Sequence, residues 1–116
     1  MTRLALAAVA VIVACAPHEV ALGISEGDNG TTFEVPAGTT VQLSLPAGFH
    51  WELSPSTPSG TDVLDRTLKD ERTIWLLRVR GPGTVEVGAV GEPTCSSADP
   101  GCSKASRSFR VTLRVK

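Results

Sequence analysis

The chain has no tyrosine, three phenylalanines and two tryptophans among its 116 residues. Stacking platforms for single-stranded nucleic acid need more aromatic surface than that. An excess of one charge is missing too, and the formal net charge is -1. Binding to a phosphate backbone draws on a basic surface, so nucleic acid is not an expected partner. Histidine occurs twice, as His18 and His50. There is no glycine-rich phosphate loop, no dinucleotide fingerprint and no G-x-S-x-G nucleophile motif. What is present is ordinary globular chemistry, 41% hydrophobic and 20% charged, in a length that holds one domain.

The longest apolar run, LALAAVAVIVA from Leu4 to Ala14, follows a single positive charge at Arg3. It falls short of the roughly 20 residues that span a bilayer. Its length and composition are those of a signal-peptide core, so residues 1–14 are expected to lie outside the fold. The run ends in Ile12-Val13-Ala14-Cys15, which resembles a bacterial lipobox. That resemblance implies cleavage before Cys15 and a lipid on it that anchors the protein to a membrane. The other reading is a plain secretory signal cut near Ala14-Cys15-Ala16, which leaves a secreted protein. Both put the domain outside the cytoplasm. Residues 15–30 then read as the lipidated N-terminus and a tether. Val20, Leu22 and Ile24 alternate, however, which also fits a first edge strand. Asn29-Gly30-Thr31 matches a glycosylation acceptor but, behind a bacterial-type leader, reads as a turn.

Cys95 and Cys102 enclose SSADPG. In an oxidising compartment, with Asp99-Pro100-Gly101 turning the chain between them, a disulfide is expected. A metal site would need four ligands, and only the two histidines remain to join these sulfurs. Neither metal nor cofactor is expected.

From Thr31 onward the pattern is strands and turns. TTFEV is short and β-branched, and PAGTT is a turn. Val41, Leu43 and Leu45 alternate with Gln42 and Ser44. FHWELS follows, with Trp51 expected in the core near Trp75 or Phe109. Phe49, on the same face, is expected as a half-buried collar, and His50 faces solvent. TDVLDRTLKDER fits either a helical turn capped by Asp62 or a strand ending in a charged turn, and the strand agrees with its neighbours. Trp75, Leu77 and Val79 share one face, as do Val85, Val87 and Ala89. Phe109, Val111, Leu113 and Val115 share another in the last segment. About seven short strands separated by turns predict an all-β domain over 31–116, an antiparallel β-sandwich.

Catalysis needs groups that converge. His50 with Ser44 or Ser54 and Glu52 is the only nucleophile–histidine–carboxylate set to be imagined. Ser44 and Glu52 would have to meet by a cross-strand coincidence. With both domain cysteines paired, no thiol nucleophile remains. The expectation is a non-enzymatic, monomeric domain that acts by binding. Three connections are candidates for contact: Pro46 to His50, the charged turn Lys69 to Arg72, and the long connection Glu92 to Ala105. The staple in the third serves stability, pre-ordering for binding, or both.

In VPAGTTVQLSLPAGFHWEL, TIWLLRVRGPGTVEVGAV, GEP and SFRVTLRVK, the order of features resembles the chagasin-type inhibitors of papain-like cysteine peptidases. The resemblance covers roughly Gly30 to Lys116 and implies an immunoglobulin-like sandwich. It also implies reversible inhibition without a covalent step, by loops wedged into the peptidase cleft. Carried onto this chain, the wedge is Pro46, Ala47, Gly48 and Phe49. One flank is Lys69, Asp70, Glu71 and Arg72, and the other is Glu92 and Pro93 with the cystine loop. The family's Asn-Pro-Thr-Thr-Gly loop here lacks the Asn and both Thr. Its glycine-rich second loop is replaced by KDER, and its Arg-Pro-Trp keeps only Pro93. The alternative function is a non-inhibitory immunoglobulin-like envelope lipoprotein that binds another protein.

Overall fold

The computed structural model describes residues 20–95, 102 and 105–116. The leader, Cys15, His18 and the Asp99-Pro100-Gly101 turn lie outside the described residues. Eight strands follow one another: β1 Leu22–Ser25, β2 Thr32–Val35, β3 Thr40–Leu45, β4 Phe49–Leu53, β5 Thr61–Lys69, β6 Arg72–Val79, β7 Gly83–Pro93 and β8 Arg107–Val115. One turn of 3-10 helix, Glu26–Asp28, separates β1 from β2. The strands form two four-stranded sheets, ordered β1-β3-β6-β5 and β2-β8-β7-β4.

Alternation sets which side of each strand is buried. The inward rows expected from the sequence in β3, β4, β6, β7 and β8 all lie in one core between the sheets. Both tryptophans are in it, Trp51 at 1% exposure and Trp75 at 2%. The result is an immunoglobulin-like β-sandwich.

Two expectations change, and two readings that the sequence left open are decided. The sandwich has eight strands rather than about seven, because Leu22–Ser25 is an edge strand paired with β3. Residues 22–30 therefore belong to the fold and not to a tether. The sheets are mixed, not antiparallel, since β1 pairs with β3 and β2 with β8 in parallel. The reason is the path of the chain: β1, β2 and β3 alternate between the two sheets, so β1 and β3 are not joined by a hairpin, nor are β2 and β8. TDVLDRTLK is a strand, β5, with a register shift between Val63 and Asp65. That bulge at Leu64 breaks the period of two, which is why the segment also fitted a helical turn.

The edges are tied down. Asn29 Oδ1 accepts from the Arg110 N–H at 2.9 Å, and the Gly30 N–H donates to the Arg110 carbonyl at 2.7 Å. Lys116 Nζ lies 2.7 Å from Glu34 Oε1, and its hydrogen bond and charge hold that carboxyl below the usual range. The Cys95–Cys102 disulfide is present, with the Cα atoms 5.7 Å apart.

Gly91 is paired with Trp51 across β4 and β7. A Cβ at Gly91 would stand 2.8 Å from Trp51 Cε3, against a ring that is fully buried. Gly91→Ala should therefore cost about 1–3 kcal/mol through overpacking. Gly81→Ala, with nothing within 4 Å of its Cβ, should be near neutral. Chemical denaturation of both variants checks the pair. Cys95→Ser with Cys102→Ser should lower stability by roughly 2.5 kcal/mol in the chain-entropy account of so short a loop, read in the same way.

Candidate functional site

Strand direction brings the candidate loops together. β3 ends at Leu45 opposite Thr73 near the start of β6, and the end of β5 pairs there too, Lys69 with Arg72. In the other sheet β4 begins at Phe49 opposite Pro93, and β8 begins at Arg107 opposite Gly91. The β3–β4, β5–β6 and β7–β8 connections therefore share one end of the sandwich. The 3-10 turn Glu26–Asp28 joins them, because Ser25 pairs with Ser44 at the same end. Sequence reading assigned that turn to the tether.

The β3–β4 loop, Pro46–Gly48, is held from beneath. Trp51 Nε1 donates to the Pro46 carbonyl at 3.0 Å. The Gly48 carbonyl accepts from the Thr94 N–H at 3.1 Å and from Thr94 Oγ1 at 3.4 Å. Gly48 has φ 97°, which explains the glycine there. Ala47 is exposed at the apex. Phe49 is buried at 9% exposure, not the half-buried collar expected. Its ring lies 5.5 Å from that of Trp51, and the Arg107 guanidinium covers it at 5.2 Å. Arg107 also forms an ion pair with Glu26. The loop's base is thus an aromatic pair closed by a cation.

The charged turn is a two-residue hairpin. Asp70 and Glu71 have φ 53° and 67°. Glycine and asparagine are favoured at such positions, and other residues there cost on the order of 1 kcal/mol. Both carboxylates are exposed at the tip, as is Lys69. Arg72 turns away from it: Nε donates to Ser44 Oγ at 3.0 Å and Nη2 to the Ser44 carbonyl at 3.4 Å.

The third expected loop begins later than Glu92. Glu92 and Pro93 complete β7, opposite His50 and Phe49. The reason is the length of β4, whose ladder reaches up to Phe49 and carries β7 with it. Ser106 Oγ donates to Glu92 Oε1 at 2.8 Å, which ties the start of β8 to the end of β7. Of the connection itself, Thr94, Cys95, Cys102, Ala105 and Ser106 are described.

A hollow flanks the first loop on each side. One, of about 580 Å³, lies between Glu26, Pro46, Ala47, Phe49 and Ala105–Arg107. The other, of about 380 Å³, is lined by Gly48, Phe49, His50, Leu68, Glu71 and Thr94. Leu68 is 62% exposed beside it. Below it Arg66, paired with Trp75 in the inward row, points inward. Its Nη2 donates to the Trp51 carbonyl at 3.3 Å, and its guanidinium lies 5.9 Å from the centre of the Trp75 ring.

Ser44 and His50 do not meet. Ser44 is on the outer face of one sheet, bonded to Arg72, and His50 is on the outer face of the other. Among the described residues no group of three or more His, Cys, Asp or Glu could hold a metal ion. What the end of the sandwich offers is shape: a rigid apolar-based tip between two hollows.

No protein-family model matches the chain, and no curated protein matches it. Among solved structures it is similar to the crystal structure of the cysteine protease inhibitor EhICP2 from Entamoeba histolytica. The identity is 13%, the TM-score is 0.63, and the match covers 84% of this chain and 100% of that one. It is also similar to the solution structure of amebosin, at 15% identity and a TM-score of 0.58, over 87% of this chain and 100% of that one. At such identities the likeness speaks for the fold alone. The chain has the chagasin-type fold that its strand and loop order suggested.

Proposed function

We propose that this protein is a reversible inhibitor of papain-like cysteine peptidases. The observation that carries the reading is the convergence, at one end of a fold shared with a cysteine protease inhibitor, of three connections around a loop fixed at both carbonyls. In this reading Pro46–Phe49 enters the cleft and covers the catalytic cysteine. The hairpin Lys69–Arg72 lies against one wall, and Glu92–Pro93 with the cystine lies against the other. Inhibition is by occlusion, so the domain needs no nucleophile of its own. The fixed loop also supports it, since ordering a mobile side chain on binding costs about 0.5–1.5 kcal/mol. In this reading the protein acts outside the cytoplasm, anchored through a lipid on Cys15 or secreted, as the apolar run before Cys15 suggests.

The altered loop residues favour a second reading, in which the same end of an envelope lipoprotein binds a different protein. One titration separates the two. The protein, secreted through an oxidising compartment, is added to papain and to a cathepsin-like peptidase. Submicromolar, reversible inhibition is expected, and substitution of the Pro46–Gly48 turn should weaken it with the fold intact. A folded, disulfide-intact protein that inhibits neither would leave the second reading.

Trp51→Phe tests the support of the loop. It removes the N–H that holds the Pro46 carbonyl. Inhibition should weaken roughly fivefold, the value of one hydrogen bond of about 1 kcal/mol. Inhibition constants measured well below the thermal midpoint of the variant keep this effect apart from the loss of core packing.

A further inference from the structure

Leu68 is out of place for its side of the sheet. It is paired with Thr73, which is buried at 1% exposure, and so belongs to the inward row, yet it is 62% exposed. β5 is a free edge of its sheet, and β4, the edge strand of the other sheet, starts only at Phe49. Among the described residues, Phe49 and His50 of the facing sheet, with Thr94 just after β7, line the hollow with Leu68 but leave it exposed. The hollow beside it draws its walls from all three connections: Gly48 to His50 from the first, Leu68 and Glu71 from the hairpin, Thr94 from the third. Each wall is fixed, by the Thr94 bonds to Gly48, by the β5–β6 ladder and by the Arg72 bonds to Ser44.

The rim has a sign. Lys69, also exposed, pairs with Arg72 on the outer face, where Arg72 bonds Ser44, while Glu71 lines the hollow beside Leu68 and Asp70 stands exposed next to it. An apolar prong and hollow beside exposed carboxylates fits a surface that is apolar at its centre and basic at its edge.

We propose that Leu68 and this hollow set which peptidase is bound. The occupant is an apolar side chain on the cleft wall of a papain-like peptidase, flanked there by Lys or Arg. This rests on the inhibitor reading above and adds the class of target. A target with an acidic wall would face Asp70 and Glu71 with like charge and be rejected.

The test compares the wild type, Leu68→Ala and the double variant Asp70→Asn/Glu71→Gln. Each is titrated against two papain-like peptidases, one with basic and one with acidic residues on the wall beside the cleft. Circular dichroism confirms that the exposed substitutions leave the fold intact. The proposal expects the wild type to inhibit the basic-walled enzyme more strongly. Leu68→Ala should weaken that inhibition about tenfold or more, as for an anchor residue. The double variant should slow association with the basic-walled enzyme and reduce its dependence on salt. If the wild type inhibits both enzymes equally and the variants stay within about twofold of it, this proposal falls and the inhibitor reading stands. If the wild type inhibits neither enzyme, both fall together.

Discussion

The indole of Trp51 joins the core to the loop above it. Its ring fills the space left by Gly91 on the neighbouring strand, too close for any side chain there. Its N–H holds the Pro46 carbonyl, its own carbonyl accepts from Arg66 on the opposite sheet, and Phe49 packs on its ring. A buried N–H without a partner costs about as much as a lost hydrogen bond or more. The loop conformation that supplies the partner is therefore favoured by the core itself. The apex at Ala47 needs no contacts of its own to be ordered.

Order at the tip comes from the course of the chain as much as from local turns. The chain crosses between sheets through the 3-10 turn and again through Pro46–Gly48, so each crossing adds to the same end. Cations then close the seams that the crossings leave. Arg107 lies on Phe49 and pairs with Glu26, and Arg66 lies on Trp75 and bonds to Trp51. Arg66 has a second consequence. An inward-pointing charge together with a bulge discourages pairing of a free edge with another chain, and β5 carries both.

Alternation made most of this fold legible. Wherever one face of a strand is buried, the sequence has a period of two, and the inward rows could be named from Val41 to Val115. The same logic placed Trp51 in the core. It failed where another constraint overrode the period. The bulge at Leu64 let β5 fit a helical turn as well as a strand, and two parallel edge strands left no hairpin signal to reveal the mixed sheets. The site was legible in outline only. Pro46–Gly48 and Asp70–Glu71 announced themselves through turn residues, whereas Glu92 and Pro93 were drawn into β7 by the length of its partner. Leu68, Arg66 and Glu26 carried no local signal. Their roles depend on which strand ends where in the opposite sheet, and that is a property of three dimensions.

The hairpin bears on how the altered loops should be weighed. Where chagasin-type inhibitors have a glycine-rich second loop, this chain has a tight turn with two residues at positive φ. A flexible loop adapts to many surfaces and loses entropy on each. A strained two-residue turn adapts to few and loses little. The first loop, the cystine and the Arg72–Ser44 bonds all work in the same direction, toward a tip already shaped before contact. Under the proposed function, a tip without the chagasin-type loop residues still binds through its fixed shape. Such a tip is expected to discriminate: tight on a surface that fits, weak on one that does not, with little between.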